Sequence, residues 1–243
     1  GDVYKRQIIY TSMTADKRKY GFRRAFTLRP HLLKGMLSIS GWTMVQSFIS
    51  VSIWFIFFLA IEHLGERPLA VTNIVRNISA LLIMVISAFA TTAGALISNQ
   101  IGAGEQRCLF KTCGMTLKLT YAILIPLLII LCLFPESVLR AFTDSPSLIA
   151  ASVNSVYVMA SSTLIMAPSF ILFNAVSGTG NTRAGFIMEM ISLAVYTAVI
   201  YYGIIRLKPD VALCWFSEHV YGVTLIFLAW WYLKSGKWRG KKV

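Results

Sequence analysis

Charged residues are scarce in this sequence of 243 residues, and acidic residues are the scarcest of them. Only 14% of the residues are charged, whereas an ordinary soluble domain has about a quarter. Ten residues are Asp or Glu and 23 are Lys or Arg, so the formal net charge is +13. A composition that is 56% hydrophobic excludes intrinsic disorder. Its long unbroken apolar runs also argue against a soluble enzyme.

Residues that commonly carry chemistry are also few. The sequence has three His, and its four cysteines lie at spacings that fit no zinc site: Cys108, Cys113, Cys132 and Cys214. It contains no HExxH, CxxC or P-loop motif, and the glycines of residues 102–104 lack the third glycine of a dinucleotide site. We therefore predict free thiols, no metal site, no cofactor, no catalytic residues and no enzymatic activity.

Six long apolar segments dominate the sequence. They cover residues 37–61, 69–100, 112–134, 148–176, 184–205 and 211–233. Each approaches or exceeds the roughly 20 residues that a transmembrane helix needs. Backbone groups in lipid must be paired within the segment, so each is predicted to be a helix. Pro126 and Pro168 lie inside the third and fourth segments and predict kinks there. The predicted fold is an all-α polytopic membrane protein, a six-helix transmembrane bundle.

The basic residues predict the orientation of this bundle. If residues 1–36 are cytoplasmic, the external loops hold only Arg67, Arg140, Arg206 and Lys208. Arg76 alone lies within a span, and every other basic residue falls on the inner side. The positive-inside rule then predicts a multi-pass protein of the cell (inner) membrane with both termini in the cytoplasm. The expected partner of these charges is the lipid bilayer and not nucleic acid.

Three regions follow from this arrangement. Residues 1–36 form a cytoplasmic segment with an amphipathic interfacial helix over 20–36. Residues 37–233 form the transmembrane bundle, and residues 234–243 form a basic cytoplasmic tail. The polar stretch 1–7 joins abruptly to an apolar stretch, 8–13, that is too short to span a membrane. We expect the chain to be a fragment with a damaged or foreign start, in which 8–13 ends a preceding helix.

The second segment has a polar face. At 100° per residue, one side of this helix collects its polar and small residues: Asn73, Arg76, Asn77, Ala80, Met84, Ser87, Thr91, Gly94, Ala95 and Ser98. Close packing against another helix explains the small residues as well as a cavity does. For Arg76 we favour a cavity, because a guanidinium needs water or an anion; the alternative is an interfacial position to which it snorkels.

Other polar side chains extend this prediction. The complete set of candidate cavity residues is Gln46, Ser50, Asn73, Arg76, Asn77, Met84, Tyr157 and Ser161. Glu189, about one turn into the fifth segment, is a candidate proton or cation site; the alternative is a structural hydrogen bond or a salt bridge, with Arg183 as its partner. Glu218 and His219 are adjacent and point about 100° apart on a helix, so we do not expect an acid–base pair.

Two loops repeat one pattern. Residues 102–107 read GAGEQR and residues 178–183 read GTGNTR, so both follow G-x-G-[EN]-x-R. Both come after a long segment and both fall on the predicted inner side. The repetition predicts a duplicated helix–turn–helix unit, a feature that transporters often show.

At these loops the sequence resembles the multidrug and toxic compound extrusion (MATE) family. The resemblance is carried by residues 66–107, 133–146 and 174–183. It implies one lobe of a transporter with twelve helices in two lobes around a central cavity. This chain is similar to the second lobe, helices seven to twelve, so the missing N-terminal six-helix lobe is an expected partner. The expected function is secondary active efflux of organic, often cationic, small molecules by alternating access, with sodium ions or protons as the coupling ion.

The sequence departs from the family pattern at the coupling residues. One branch has a Glu in helix seven and an Asp in helix ten, and these positions fall near Ser50 and Met166 here. Because neither is a carboxylate, we expect ion coupling to belong to the missing lobe. Two alternatives remain: a flippase for a lipid-linked or polysaccharide substrate, and an intramembrane enzyme. The enzyme would need Glu189 and His219 within hydrogen-bond reach.

Overall fold

A computed structural model describes Arg6, Tyr10, residues 30–236, and residues 238 and 239. Contacts divide the chain into two units, Gly1–Gly41 and Trp42–Val243. Within the first unit, the described part of the chain is Arg6, Tyr10 and the beginning of a helix at Pro30. The predicted helix end over 8–13 and most of the predicted interfacial helix over 20–36 lie outside the described residues.

The described residues form helices joined by short turns. The α-helices are α1 (Pro30–Glu62), α2 (Glu66–Gly102), α3 (Leu109–Leu133), α4 (Pro135–Leu139), α5 (Pro146–Gly178), α6 (Thr182–Val199), α7 (Val211–Cys214) and α8 (Phe216–Ser235). A 3₁₀ turn, Gln106–Cys108, precedes α3, and a π-helical segment, Ile200–Arg206, continues α6.

Six of these helical stretches are long and apolar enough to cross a membrane. They are Met44–Glu62, Glu66–Gly102, Gln106–Leu133, Pro146–Gly178, Thr182–Arg206 and Val211–Ser235. Each contains or overlaps one of the six predicted segments. The all-α class and the six predicted spans are therefore confirmed for the part of the chain that the structure describes.

Helix α5 lies at the centre of the second unit. It packs against α2, α3 and α8 along its length and also contacts α4, α6 and α7. One buried apolar cluster joins α2, α3 and α5, and a second joins α2, α5 and α8. Lipid tails are as apolar as these side chains, so close packing holds membrane helices together more than transfer from water does.

Two glycines bring α2 and α5 close together. A Cβ atom at Gly178 would lie 2.5 Å from the carbonyl oxygen of Gly94. A Cβ atom at Gly94 would lie 2.9 Å from the carbonyl oxygen of Asn174. Neither position accepts a methyl group without a shift of the backbone. Close packing thus accounts for Gly94 within the predicted polar face of α2.

The two similar loops share one turn geometry. Helices α2 and α5 end at the first glycine of each loop, and the next residue, Ala103 or Thr179, donates its N–H to the carbonyl four residues earlier. The second glycines, Gly104 and Gly180, have φ angles of +81° and +77°. Each donates its N–H to the carbonyl three residues earlier, at 3.1 and 3.0 Å. Glycine favours this left-handed conformation because it has no Cβ.

Both predicted helix-interior prolines lie inside continuous helices. Pro126 is in α3 and Pro168 is in α5. Proline has no N–H, so Pro168 leaves the carbonyl of Leu164 without its helical partner. The hydroxyl of Tyr121 on α3 donates to that carbonyl oxygen at 2.8 Å. A neighbouring helix therefore supplies the hydrogen bond that the proline removes.

Candidate functional site

A cavity of about 330 Å³ lies among α1, α2, α5, α6 and α8. Its walls are mainly apolar and aromatic, with a few polar side chains. The lining residues are Ser50, Ile53, Trp54, Ile83, Ser87, Thr91, Met166, Phe170, Phe173, Asn174, Glu189, Leu193, Tyr196, Glu218, Tyr221 and Leu225. We call this space the acidic cavity, because two glutamates reach it.

Glu189 is the first of these glutamates and is 4% exposed. Its Oε1 accepts a hydrogen bond from the Ser50 hydroxyl at 2.8 Å and another from the Tyr221 hydroxyl at 3.0 Å. One carboxyl group thereby joins α1, α6 and α8. Arg183, which the sequence suggested as a salt-bridge partner, is exposed and forms no ion pair with Glu189 within the described residues.

Glu218 on α8 is the second glutamate and is 6% exposed. Its Oε1 accepts a hydrogen bond from the Tyr196 hydroxyl at 2.7 Å. The rings of Tyr196 and Tyr221 meet edge to face, with centroids 5.8 Å apart. The two carboxyl–tyrosine pairs therefore form one cluster between α6 and α8.

Within the part of the chain that the structure describes, no basic side chain balances the charge of this cluster. Throughout the described ranges, no Lys, Arg or His forms an ion pair with Glu189 or Glu218, and their hydrogen-bond partners are the hydroxyls of Ser50, Tyr196 and Tyr221. An isolated carboxylate in an apolar environment is costly unless it binds a proton or a cation. The acidic cavity is therefore chemically suited to either ligand.

A second cavity of about 600 Å³ adjoins the first. Its lining residues are Ser50, Val51, Trp54, Phe55, Phe58, Arg76, Ser79, Ala80, Ile83 and Met84. We call it the arginine groove. The guanidinium of Arg76 lies over the Phe58 ring, with Cζ 5.1 Å from the ring centroid. Arg76 is exposed and forms no ion pair with an acidic side chain in the described part of the chain.

Four of the predicted site residues line these cavities. Ser50 lines both, Glu189 lines the acidic cavity, and Arg76 and Met84 line the arginine groove. The remaining five line neither cavity: Gln46, Asn73, Asn77, Tyr157 and Ser161. The polar face of α2 is thus divided, because Arg76 and Met84 line the groove while Asn73 and Asn77 do not.

Three of those five side chains have hydrogen-bond partners outside the two cavities. The Asn73 amide donates to the carbonyl of Leu69 at 3.1 Å. The Tyr157 hydroxyl donates to the carbonyl of Cys132 at 3.4 Å. The hydroxyl of Ser161 lies 2.9 Å from Nε2 of His219, so this His has a partner on α5.

Glu189 and His219, the pair that an intramembrane enzyme would need, are not hydrogen-bonded to each other. His219 pairs with Ser161, whereas Glu189 pairs with Ser50 and Tyr221. The acidic cavity is lined by Glu189 and does not include His219 among its lining residues.

Several cavity residues were not predicted as site residues. They include Trp54, Glu218 and Tyr221. Helical spacing gave a signal for these residues. Glu218 and Tyr221 are three residues apart and share one face of their helix, and Glu189 and Tyr196 are seven apart and share one face of theirs. That signal shows which residues share a face but not which neighbour the face meets.

The chain is similar to known transporter structures. A MOP superfamily transporter from Pyrococcus furiosus, whose binding pocket of reverse polarity suggests a different function, matches with a TM-score of 0.72 and 14% identity over 82% of this chain and 44% of that chain. An outward-facing multidrug resistance MATE family transporter matches with a TM-score of 0.74 and 14% identity over 84% of this chain and 46% of that chain. A MATE protein in complex with MaD3S matches with a TM-score of 0.68 and 15% identity over 82% of this chain and 47% of that chain.

These likenesses establish the fold, and the chain spans less than half the length of each of the three structures. None of the curated proteins matches the chain. The MatE family model matches residues 43–202, which is more than half of the chain and includes most of the lining of both cavities. The chain therefore belongs to the MatE family of membrane transporters, as its sequence motifs indicated.

Proposed function

We propose that this chain is the second half, helices seven to twelve, of a secondary active transporter that exports organic cations by alternating access. Sodium ions or protons would move in the opposite direction. The observation that carries the proposal is the acidic cavity, in which Glu189 and Glu218 have hydroxyl partners but no basic partner among the described residues. A cationic substrate and a coupling cation would each supply the missing positive charge.

The positions of the two glutamates support this proposal. In one branch of the family the coupling carboxylates occupy positions that fall near Ser50 and Met166 here, and both of these residues line the acidic cavity. The carboxylates come instead from α6 and α8, and Ser50 donates a hydrogen bond to one of them. The cavity thus retains acidic groups although they are supplied by other helices. We propose Glu189 as a proton or cation site within this half, in addition to the ion-coupling site that we expect in the missing lobe.

Aromatic side chains support an organic cation as the substrate. Trp54, Phe170, Phe173 and Tyr221 line the acidic cavity together with the glutamates. Aromatic faces attract cations, and the interaction strengthens when the cation is desolvated. A small molecule with a positive charge and an apolar body fits this combination of carboxylates and rings.

A second six-helix half would complete the transport pathway. The chain spans less than half of each matched transporter. We propose that the two halves enclose the cavities and rock against each other in the cell (inner) membrane. Both termini of this chain would lie in the cytoplasm, because its basic residues fall overwhelmingly on that side of the predicted spans.

Export of tetraphenylphosphonium by the full-length protein in inside-out membrane vesicles tests this function. We expect Glu189→Gln to reduce the transport rate by about tenfold or more, since a loss of roughly 1.4 kcal/mol already corresponds to tenfold. Glu62→Gln is the matched control, because Glu62 is exposed at the end of α1 and lines neither cavity. Varying the sodium gradient and the pH gradient separately identifies the coupling ion.

Two results would contradict the proposal. The first is a Glu189→Gln variant that exports the cation as fast as the Glu62→Gln control. The second is a wild-type protein that does not move tetraphenylphosphonium under either gradient, a result that would favour the flippase alternative.

A further inference from the structure

Another cavity, of about 210 Å³, lies between the beginning of α6 and the end of α8. Its walls are mainly apolar and aromatic, and we call it the α6–α8 groove. The side chains that matter below are Ile187, Met188, Ile191, Leu228, Trp231 and Tyr232. None of its lining residues lines the acidic cavity or the arginine groove, so it is a separate feature of the molecule.

The α6–α8 groove lies on the side of α6 that faces away from the acidic cavity. Ile187 and Ile191 are each two positions from Glu189, so at 100° per residue they lie about 160° from it around the helix. Ile187, Ile191 and Trp231 remain exposed. Both helices belong to stretches that are long and apolar enough to cross a membrane. Exposed apolar side chains on such helices are suited to contact with lipid tails, which are equally apolar.

One end of the groove has the composition of a membrane interface. Trp230, Trp231 and Tyr232 follow one another near the end of α8, and Trp and Tyr are enriched where a membrane meets water. The amide of Asn181, at the start of α6, donates to the Tyr232 hydroxyl at 2.6 Å. This bond joins the two helices at the same end. The groove therefore runs from the interface toward the hydrocarbon.

The same end of the groove carries basic side chains. Arg183 is four residues before Ile187, and Lys234 is three residues after Trp231, so each shares a helix face with a lining residue. Both basic side chains are exposed. Residues 181–188 and 228–243 include further basic residues and no acidic one. An anionic group at this end would thus meet positive charge from both helices.

We propose that the α6–α8 groove binds one acyl chain of an anionic phospholipid, with the headgroup phosphate held by Arg183 and Lys234. The groove is smaller than the roughly 300–1,000 Å³ of a typical small-molecule site, and it suits part of a single alkyl chain. Long basic side chains reach from a helix end to the headgroup level. The positive-inside rule predicts that this leaflet is the cytoplasmic one.

The order of the groups along the membrane normal favours a phospholipid over a protein partner. A phospholipid presents an anionic group at the interface and an apolar chain below it, which is the order in which the groove presents basic and apolar side chains. A protein that covered this face would have to supply acidic groups at the same level. Basic pockets between membrane helices are typical sites for anionic headgroups.

Photochemical labelling of the full-length protein in phosphatidylcholine vesicles tests the proposal. The vesicles contain trace amounts of phosphatidylglycerol or phosphatidylcholine that carries the same diazirine in its acyl chain. Mass spectrometry compares labelling of residues 184–191 and 228–235 with labelling of residues 119–133 of α3. This reference segment exposes apolar side chains and has no basic residue. Relative to the reference, we expect about fivefold more labelling of the groove by the phosphatidylglycerol probe.

Two variants assign this preference to the charges and to the groove. Arg183→Gln combined with Lys234→Gln should remove it, whereas Arg206→Gln combined with Lys208→Gln, at the other end of α6, is the control that should retain it. Ile187→Trp should also remove it, because the larger side chain fills the groove while both charges remain. Its control is Val195→Trp, since Val195 is exposed on the same helix but lines none of the three cavities.

Several results would overturn the proposal. Equal labelling of the groove by the two probes would mean that only bulk lipid contacts it. Labelling of α3 without labelling of the groove would mean that protein covers this face. A preference that survives Arg183→Gln with Lys234→Gln would exclude the two basic residues as the headgroup site. A preference that survives Ile187→Trp, in a variant shown to be folded by size-exclusion chromatography, would exclude a chain bound in the groove.

Discussion

Several tyrosine hydroxyls in this bundle donate hydrogen bonds to carboxyl or carbonyl oxygens of neighbouring helices. Tyr196 and Tyr221 donate to the glutamates of the acidic cavity. Tyr121 donates to the carbonyl of Leu164, which Pro168 leaves unpaired in the helix. Leaving such an acceptor unsatisfied in an apolar environment costs about 1–3 kcal/mol. These hydroxyls therefore contribute to stability as well as to the chemistry of the cavity.

The hydrogen bond of Tyr121 can be tested by a double-mutant cycle. We expect Tyr121→Phe to lower the unfolding free energy of the full-length protein by about 1–2 kcal/mol, because it leaves the carbonyl of Leu164 unpaired. Pro168→Ala restores a backbone N–H that can donate to the same carbonyl, so Tyr121→Phe should cost less in that background. Thermal unfolding in detergent measures both effects.

A control and a contradicting result accompany this cycle. Tyr157→Phe removes a longer bond of 3.4 Å to a backbone carbonyl and should have a smaller effect. If Tyr121→Phe costs the same with Pro168 and with Ala at that position, the hydroxyl does not replace the missing helical bond.

Individual site residues were only partly predictable from the sequence. Glu189 was predicted because a carboxylate inside an apolar run is rare and costly. Glu218 was not predicted as a site residue, because it was judged only as a possible acid–base partner of the adjacent His219, from which it points about 100° away on a helix. Helical spacing also could not show that Tyr157 and Ser161 line neither cavity, because the direction of a face depends on how the helices pack.

At the scale of the helices, hydropathy predicted the spans better than it predicted their ends. Helix α1 begins at Pro30, whereas the first apolar segment was predicted to begin at residue 37. Residues 31 and 34 are His and Lys, which end an apolar run without ending a helix. The short helix α4 and the π-helical segment Ile200–Arg206 were not predicted, since neither has a periodicity that distinguishes it from its neighbours.

The crossing of α2 and α5 makes a prediction at this scale. We expect Gly178→Ala to destabilise the full-length protein by about 1–3 kcal/mol, because the new methyl group would lie 2.5 Å from the carbonyl oxygen of Gly94. The matched control is Gly114→Ala in α3, where no other group lies within 4 Å of the added Cβ. This control should be neutral or stabilising by up to about 1 kcal/mol, because alanine favours helix over glycine.

Thermal unfolding midpoints of the two purified glycine variants provide the measurement. Equal midpoints for Gly178→Ala and Gly114→Ala would show that the two helices are not in backbone contact at Gly178. A lower midpoint for Gly178→Ala alone would agree with the close approach.

For the whole molecule, the apolar composition and the positive charge have separate consequences. Large apolar side chains remain exposed on the outer face of α3, among them Leu127, Ile129 and Ile130, as expected for a helix that faces lipid. The basic residues are concentrated on one side of the predicted spans and account for the net charge of +13. The glutamates of the acidic cavity, which have no basic partner among the described residues, differ from this background, and they carry the proposed transport function.

The central claim is that the acidic cavity lies on the path of an organic cation through the full-length transporter. The most direct test is the rate at which a small maleimide labels the Ile83→Cys variant in membranes, after all native cysteines have been replaced by serine. Ile83 is half-buried and lines both cavities, whereas Ile129, the site for the control variant Ile129→Cys, lines neither. We predict that tetraphenylphosphonium slows labelling in Ile83→Cys but not in Ile129→Cys, at the concentrations that saturate export. An unchanged labelling rate in Ile83→Cys at those concentrations would contradict the account.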